Sequence, residues 1–98
     1  MLVTITGLNY RYGSEFLKKG MELKLIKEPD NEYDKEAIKV EYKGLGTIGY
    51  VANSTKTVIG ECLSAGRLYD KIGKKAKAKV VMKFEGCAIC KISKDSLK

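Results

Sequence analysis

Met21-Glu22-Leu23-Lys24-Leu25-Ile26-Lys27, then Glu28-Pro29-Asp30-Asn31, then Ala37-Ile38-Lys39-Val40-Glu41-Tyr42 is the stretch that decides the fold. In its first part Met21, Leu23 and Leu25 point one way and Glu22 and Lys24 the other, which is the two-residue period of a half-buried strand. The only proline and two turn-forming residues break that pattern. A second alternating strand follows, with Ile38, Val40 and Tyr42 on one face. Lys43-Gly44-Leu45-Gly46 then reads as a hairpin connection into Thr47–Val51. Strands joined by turns rather than by crossover helices pair antiparallel.

The flanks extend this reading. Leu2–Tyr10 alternates in part and is rich in β-branched residues, so a strand is expected, with Gly7 marking a bulge or a close backbone approach. Tyr10 and Tyr12, two residues apart, should share a face at its end. Gly13 and Gly20 bracket a segment with room for a short helix, capped by Ser14 and anchored by Phe16 and Leu17. Asn53-Ser54-Thr55 supplies helix-start chemistry, Val58, Ile59, Cys62 and Leu63 follow at helical spacing, and Gly66 is placed to end that helix. Leu68, Tyr69 and Ile72 lie in a connector with no assigned element. Ala76–Phe84 and Cys87–Ile92 are two more strands, joined at Glu85-Gly86. The polar tail Ser93–Lys98 is expected to fray. The fold class is therefore mainly β: a small antiparallel barrel of about six strands with one or two short helices.

At 98 residues one domain spanning 1–98 is expected. No apolar run reaches the ~20 residues a membrane helix needs, and the first ten residues lack the features of a signal peptide, so a cytoplasmic protein with no membrane partner is expected. Three cysteines cannot all pair with one another, which fits a reducing compartment. Charge is unevenly spread. Residues 1–65 hold nine Lys/Arg and nine Asp/Glu, while residues 66–98 hold ten against three, so the whole excess of +7 sits in the last third. Such an asymmetry suits a polyanion, and equally a solubilising lysine face.

Catalysis is hard to build from these residues. The chain has no histidine, the commonest general base. Cys62, on the apolar stripe of the expected helix, reads as a buried structural thiol. Cys87 and Cys90 form a C-x-x-C pair, but they lie in a strand pattern, where positions three apart face opposite sides. A structural zinc site also wants four ligands. No metal, no cofactor and no enzymatic activity are expected. What remains is a set of tyrosines among charged and amide residues: Tyr10 and Tyr12, Tyr33 beside Asp34, and Tyr50. Aromatic faces at a barrel edge, with basic groups nearby, hold single strands by stacking bases and tracking phosphates. The plainer alternative has these rings completing the core with their hydroxyls at the rim.

The motif order resembles that of HIRAN domains. Ile5-Thr6-Gly7-Leu8-Asn9-Tyr10-Arg11-Tyr12-Gly13 resembles the family's opening. Glu28-Pro29-Asp30-Asn31-Glu32-Tyr33-Asp34-Lys35-Glu36-Ala37-Ile38-Lys39-Val40 is similar to its central signature, and Ile48-Gly49-Tyr50-Val51 to its short Ile-Gly-aromatic strand. The signature region covers residues 3–65, and the basic hairpin 66–98 matches only in strand pattern. The resemblance implies an OB-like barrel and single-stranded DNA, held at a free 3′ end, as ligand. It also implies roles: Tyr10 and Tyr33 pack against terminal bases, Asp34 accepts a hydrogen bond from the 3′ hydroxyl, Asn31 shapes the pocket, and Asn9, Arg11 and Tyr50 line the groove. Here the positive charge follows the first tyrosine, as Asn9-Tyr10-Arg11, where some members carry it before. The competing expectation is a protein-interaction or RNA-binding domain that meets an acidic partner through the basic last third.

Overall fold

In the computed structural model, which describes residues 1–98, the alternating segments are all strands: β1 (Leu2–Thr6), β2 (Glu22–Lys27), β3 (Ile38–Tyr42), β4 (Gly46–Val51), β5 (Lys75–Phe84) and β6 (Cys87–Ile92). They close into a barrel in the order β1-β4-β3-β2-β5-β6, and every ladder is antiparallel. Closure leaves no free sheet edge. Inward positions follow the period: Leu23 and Leu25, Ile38 and Val40, Ala76, Ala78 and Val80, and Ala88, Cys90 and Ile92 are all buried. The alanines keep the β5–β6 wall thin, so the larger side chains opposite fill a narrow interior.

Register sorts the remaining segments to the two ends of the barrel. The β3–β4 and β5–β6 turns lie at one end, together with a single 3-10 turn at Leu8–Tyr10. The other end carries the β2–β3 loop and the one α-helix, α1 (Ala65–Tyr69), whose Ser64 side chain caps the Arg67 N–H. Leu8 and Leu68 are both fully buried in the core. Each contributes about 1.5–3 kcal/mol by burial.

Several local expectations are corrected. The first strand stops at Thr6, because Gly7 takes a left-handed conformation (φ 75°) and turns the chain into the Leu8–Tyr10 turn. Tyr10 and Tyr12 therefore do not share a strand face. No helix forms between Gly13 and Gly20; Ser14 instead accepts a hydrogen bond from the Gly86 N–H at 3.3 Å, while Leu17 is buried as expected. The segment from Asn53 to Leu63 is not helical either. It lies along β1, where the Ile59 N–H donates to Thr4 Oγ1 at 3.0 Å and the Leu63 N–H to the Leu2 carbonyl at 2.8 Å. Cys62 is accordingly half-buried rather than buried. Gly66, expected to end a helix, lies in the first turn of α1. The tail does not fray: Leu97 bridges Ile72, and Ser96 Oγ accepts from the Lys77 N–H at 2.9 Å.

Candidate nucleic-acid interface

The β2–β3 loop is organised by one asparagine. Asn31 Oδ1 accepts from the backbone N–H groups of Tyr33 (2.9 Å) and Asp34 (3.0 Å), a side chain standing in for backbone in a turn. Its amide nitrogen donates to Glu28 Oε1 at 3.2 Å. That same oxygen accepts from the Tyr50 hydroxyl at 2.7 Å, across the wall from β4. On the other side, Asp34 Oδ1 accepts from the Glu36 N–H (2.8 Å) and Oδ2 from Asn53 Nδ2 (3.0 Å). Asn53 Oδ1 in turn accepts from the Gly66 N–H at 2.8 Å, in the first turn of α1. A continuous polar chain thus runs from β4 to α1 through Glu28, Asn31 and Asp34. The Tyr33 ring stands outside it, 94% exposed.

Tyr50 shares its outward row with Thr6 of β1 and Lys39 of β3. Donation to Glu28 is the first cause that pushes its phenol above the ordinary value, with burial and the Glu28 charge adding to it. Arg11 opposes the shift, so its guanidinium acts on the same row. Arg11 and Glu28 therefore both act on Tyr50, and Glu28 also holds Asn31.

Tyr10 is presented by a buttress. Its turn is held by the Leu8 N–H donating to Gly86 (3.2 Å) and by the Leu8 carbonyl accepting from Arg11 (3.1 Å) and Gly13 (2.8 Å). Leu8 fits only because residue 49 is glycine: a Cβ there stands 2.6 Å from the Thr6 carbonyl oxygen and 3.1 Å from Leu8 Cδ2. The ring of Tyr10 is left 93% exposed. Beside it a shallow hollow is lined by Thr6, Gly7, Asn9, Lys56 and Gly86. Asn9 turns to the β5–β6 hairpin, its side chain packed against Gly86, and not into the Tyr50 row. Tyr12 is tied to the β3–β4 turn by donating to the Leu45 carbonyl at 3.2 Å.

Residue order alone gives no site role to three contributors. Glu28 stands in the signature without one, Asn53 reads as a helix start, and Lys56 counts only as one charge among many. The thiols are not part of this neighbourhood: Cys90 is buried, and burial first, then Cys62, pushes it up to about 12, while Cys87 is half-buried. No helix is long and apolar enough to cross a membrane.

Compared with known families, residues 1–85 match the family model of the HIRAN domain. Among solved structures, the crystal structure of the HIRAN domain of human HLTF matches with a TM-score of 0.61 at 20% identity, covering 94% of this chain and 73% of that one. At that identity the likeness is one of fold. No curated protein matches.

Proposed function

The chain belongs to the HIRAN family, and from that premise we propose that this nucleic-acid-binding module takes single-stranded DNA by a free 3′ end. The observation that carries the reading is the two almost fully exposed rings, Tyr10 at one end of the barrel and Tyr33 at the other on a loop whose polar groups are engaged, with the Thr6–Tyr50–Lys39 row between them. Exposed rings give bases a stacking face at about 1–3 kcal/mol each, without demanding a sequence.

Asp34 supplies the end preference. Each of its oxygens accepts one protein N–H. A carboxylate offers about four acceptor positions, so lone pairs remain for a terminal hydroxyl. A 3′ phosphate brings negative charge toward Asp34 and Glu28 and is repelled. Arg11, which acts on Tyr50, and Lys56, in the hollow beside Tyr10, are the cations we assign to the upstream phosphates. The loop is pre-organised by Asn31 and Glu28, so little ordering cost falls on binding.

The test is competition between strands ending in a 3′ hydroxyl and in a 3′ phosphate. The wild-type protein prefers the hydroxyl, and Asp34→Asn, which removes the charge and keeps one of the two acceptor oxygens, narrows the preference. Equal binding of both ends by the wild type overturns end recognition.

A further inference from the structure

We infer that the outward face of β2, β5 and β6 is a second binding surface, fitted to the phosphate backbone of double-helical nucleic acid. β5 exposes Lys75, Lys77 and Lys79 at alternate positions. Its register sets Lys24 of β2 directly opposite Lys77, and Lys91 of β6 directly opposite Lys79. Like charges in that relation repel and destabilise a sheet, so the arrangement costs stability until a counter-charge arrives.

The protein supplies only a small part of that counter-charge, and none of it as an ion pair to these lysines. Its one side-chain ion pair is Lys39 with Glu41, at 3.2 Å, on a different strand. Two acids border the array: Glu41 of β3 lies across from Lys24 but is engaged by Lys39, and Glu22 of β2 lies across from Lys79 and forms no ion pair. Lysines elsewhere serve the fold: Lys27 Nζ donates to the Ile72 carbonyl at 2.9 Å and Lys83 Nζ to that of Glu15 at 2.8 Å. None of the five ammonium groups on this face donates to any protein acceptor.

The chemistry of the face selects its ligand. Alternate residues on a strand stand about 6.7 Å apart and neighbouring strands about 4.8 Å apart, so the ammonium groups form a broad grid rather than a single file. The one ring beside this grid, Tyr42 in the hollow lined by Lys24 and Lys77, is half-buried against the core, so unpaired bases find no free face to stack on. Flexible point charges without stacking platforms contact phosphates and leave the bases paired. In the closed barrel β2 and β5 lie across from β1 and β4 while β6 pairs with β1, and the face shares no residue with the end-binding site.

The test uses the whole chain and covalently closed circular duplex DNA, which has no 3′ end. Wild type binds it at low salt, and Tyr10→Ala with Tyr33→Ala binds equally well. Exchanging Lys75, Lys77 and Lys79 for Gln weakens this binding about tenfold or more. It also lowers the slope of log K against log salt by about 0.9 for each phosphate that is no longer neutralised. Affinity for a short 3′-hydroxyl strand stays within about threefold of wild type. Because repulsion is relieved, the triple variant melts no lower than wild type at low salt. Failure of the wild type to bind closed duplex, an unchanged slope in the triple variant, or a lowered melting temperature each overturns the inference. Loss of duplex binding in the tyrosine variant also overturns it, by merging the two surfaces into one.

Discussion

Two walls of the barrel, one around Tyr50 and one around Lys77, are built by the same antiparallel pairing and finished in opposite ways. Around Tyr50 the polar atoms are committed to one another: Tyr50 to Glu28, Asn31 to Glu28 and the turn, Asp34 to Glu36 and Asn53. Around Lys77 the outward ammonium groups have no protein partner and face each other across strands. A satisfied network has a fixed shape and can discriminate one terminal group from another. An unsatisfied array reads charge and tolerates shape. The two proposed surfaces would thus separate recognition from attraction, each on its own face.

The contrast is broken most forcefully at the exposed rings. Tyr33→Ala or Tyr10→Ala each costs about 1–3 kcal/mol of single-strand affinity, about five- to 150-fold, with duplex binding untouched. Phe at either position retains most of the affinity. Fluorescence anisotropy with both probes measures this directly, and equal losses on both probes erase the distinction between the walls.

Gly49→Ala comes next and acts on stability. Its Cβ collides with the Thr6 carbonyl and Leu8, an overpacking worth about 1–3 kcal/mol. A thermal melt should fall by about 4–8 °C per kcal/mol for a domain of this size. The Leu8–Tyr10 turn should lose hydrogen-exchange protection before the β5–β6 hairpin does.

Glu28→Gln sharpens the comparison more gently. It removes the charge that orders Tyr50 and Asn31 but keeps an acceptor, so single-strand affinity should fall a few-fold, about 0.5–1.5 kcal/mol for a weakened hydrogen bond. Duplex binding should rise slightly or stay level.

The smallest effect is on pH. Tyr50 is raised from its ordinary 10.0, chiefly by donating to Glu28. A group raised on folding contributes fully below its unfolded value and loses that contribution as pH climbs through the folded one. The stability gap between wild type and Tyr50→Phe is therefore constant at neutral pH and narrows above pH 10. A gap that widens there contradicts the donated bond.

Much of this is readable from residue order, and the reasons differ by region. The β5–β6 hairpin is plain because Ala76-Lys77-Ala78-Lys79-Val80 alternates without interruption, and no tertiary competitor disturbs it. The stretch from Asn53 to Leu63 misleads because Val58, Ile59, Cys62 and Leu63 keep helical spacing. β-branched Thr55, Thr57, Val58 and Ile59 are weak helix formers, and bonds to Thr4 and Leu2 of β1 settle the segment as a strap. The residue types of the proposed site are legible in the signature, and the fold links Asn31, Tyr33, Asp34 and Tyr50 through the β2–β3 loop and Glu28. That linkage is not legible in residue order, since Glu28 and Asn53 act on partners about two strands away in sequence, at Tyr50 and Asp34. Asn9 faces Gly86 of the β5–β6 hairpin because the turn after Gly7 directs it there, and from that place it lines the hollow beside Tyr10.

The most direct test is residue-resolved. Amide NMR spectra of the intact chain are titrated with a short 3′-hydroxyl strand and, separately, with closed duplex. The predicted result is that the strand shifts Tyr10, Arg11, Asn31, Tyr33 and Asp34 while the duplex shifts Lys24, Lys75, Lys77, Lys79 and Lys91. One common set of shifted amides for both ligands contradicts the separation of the two faces.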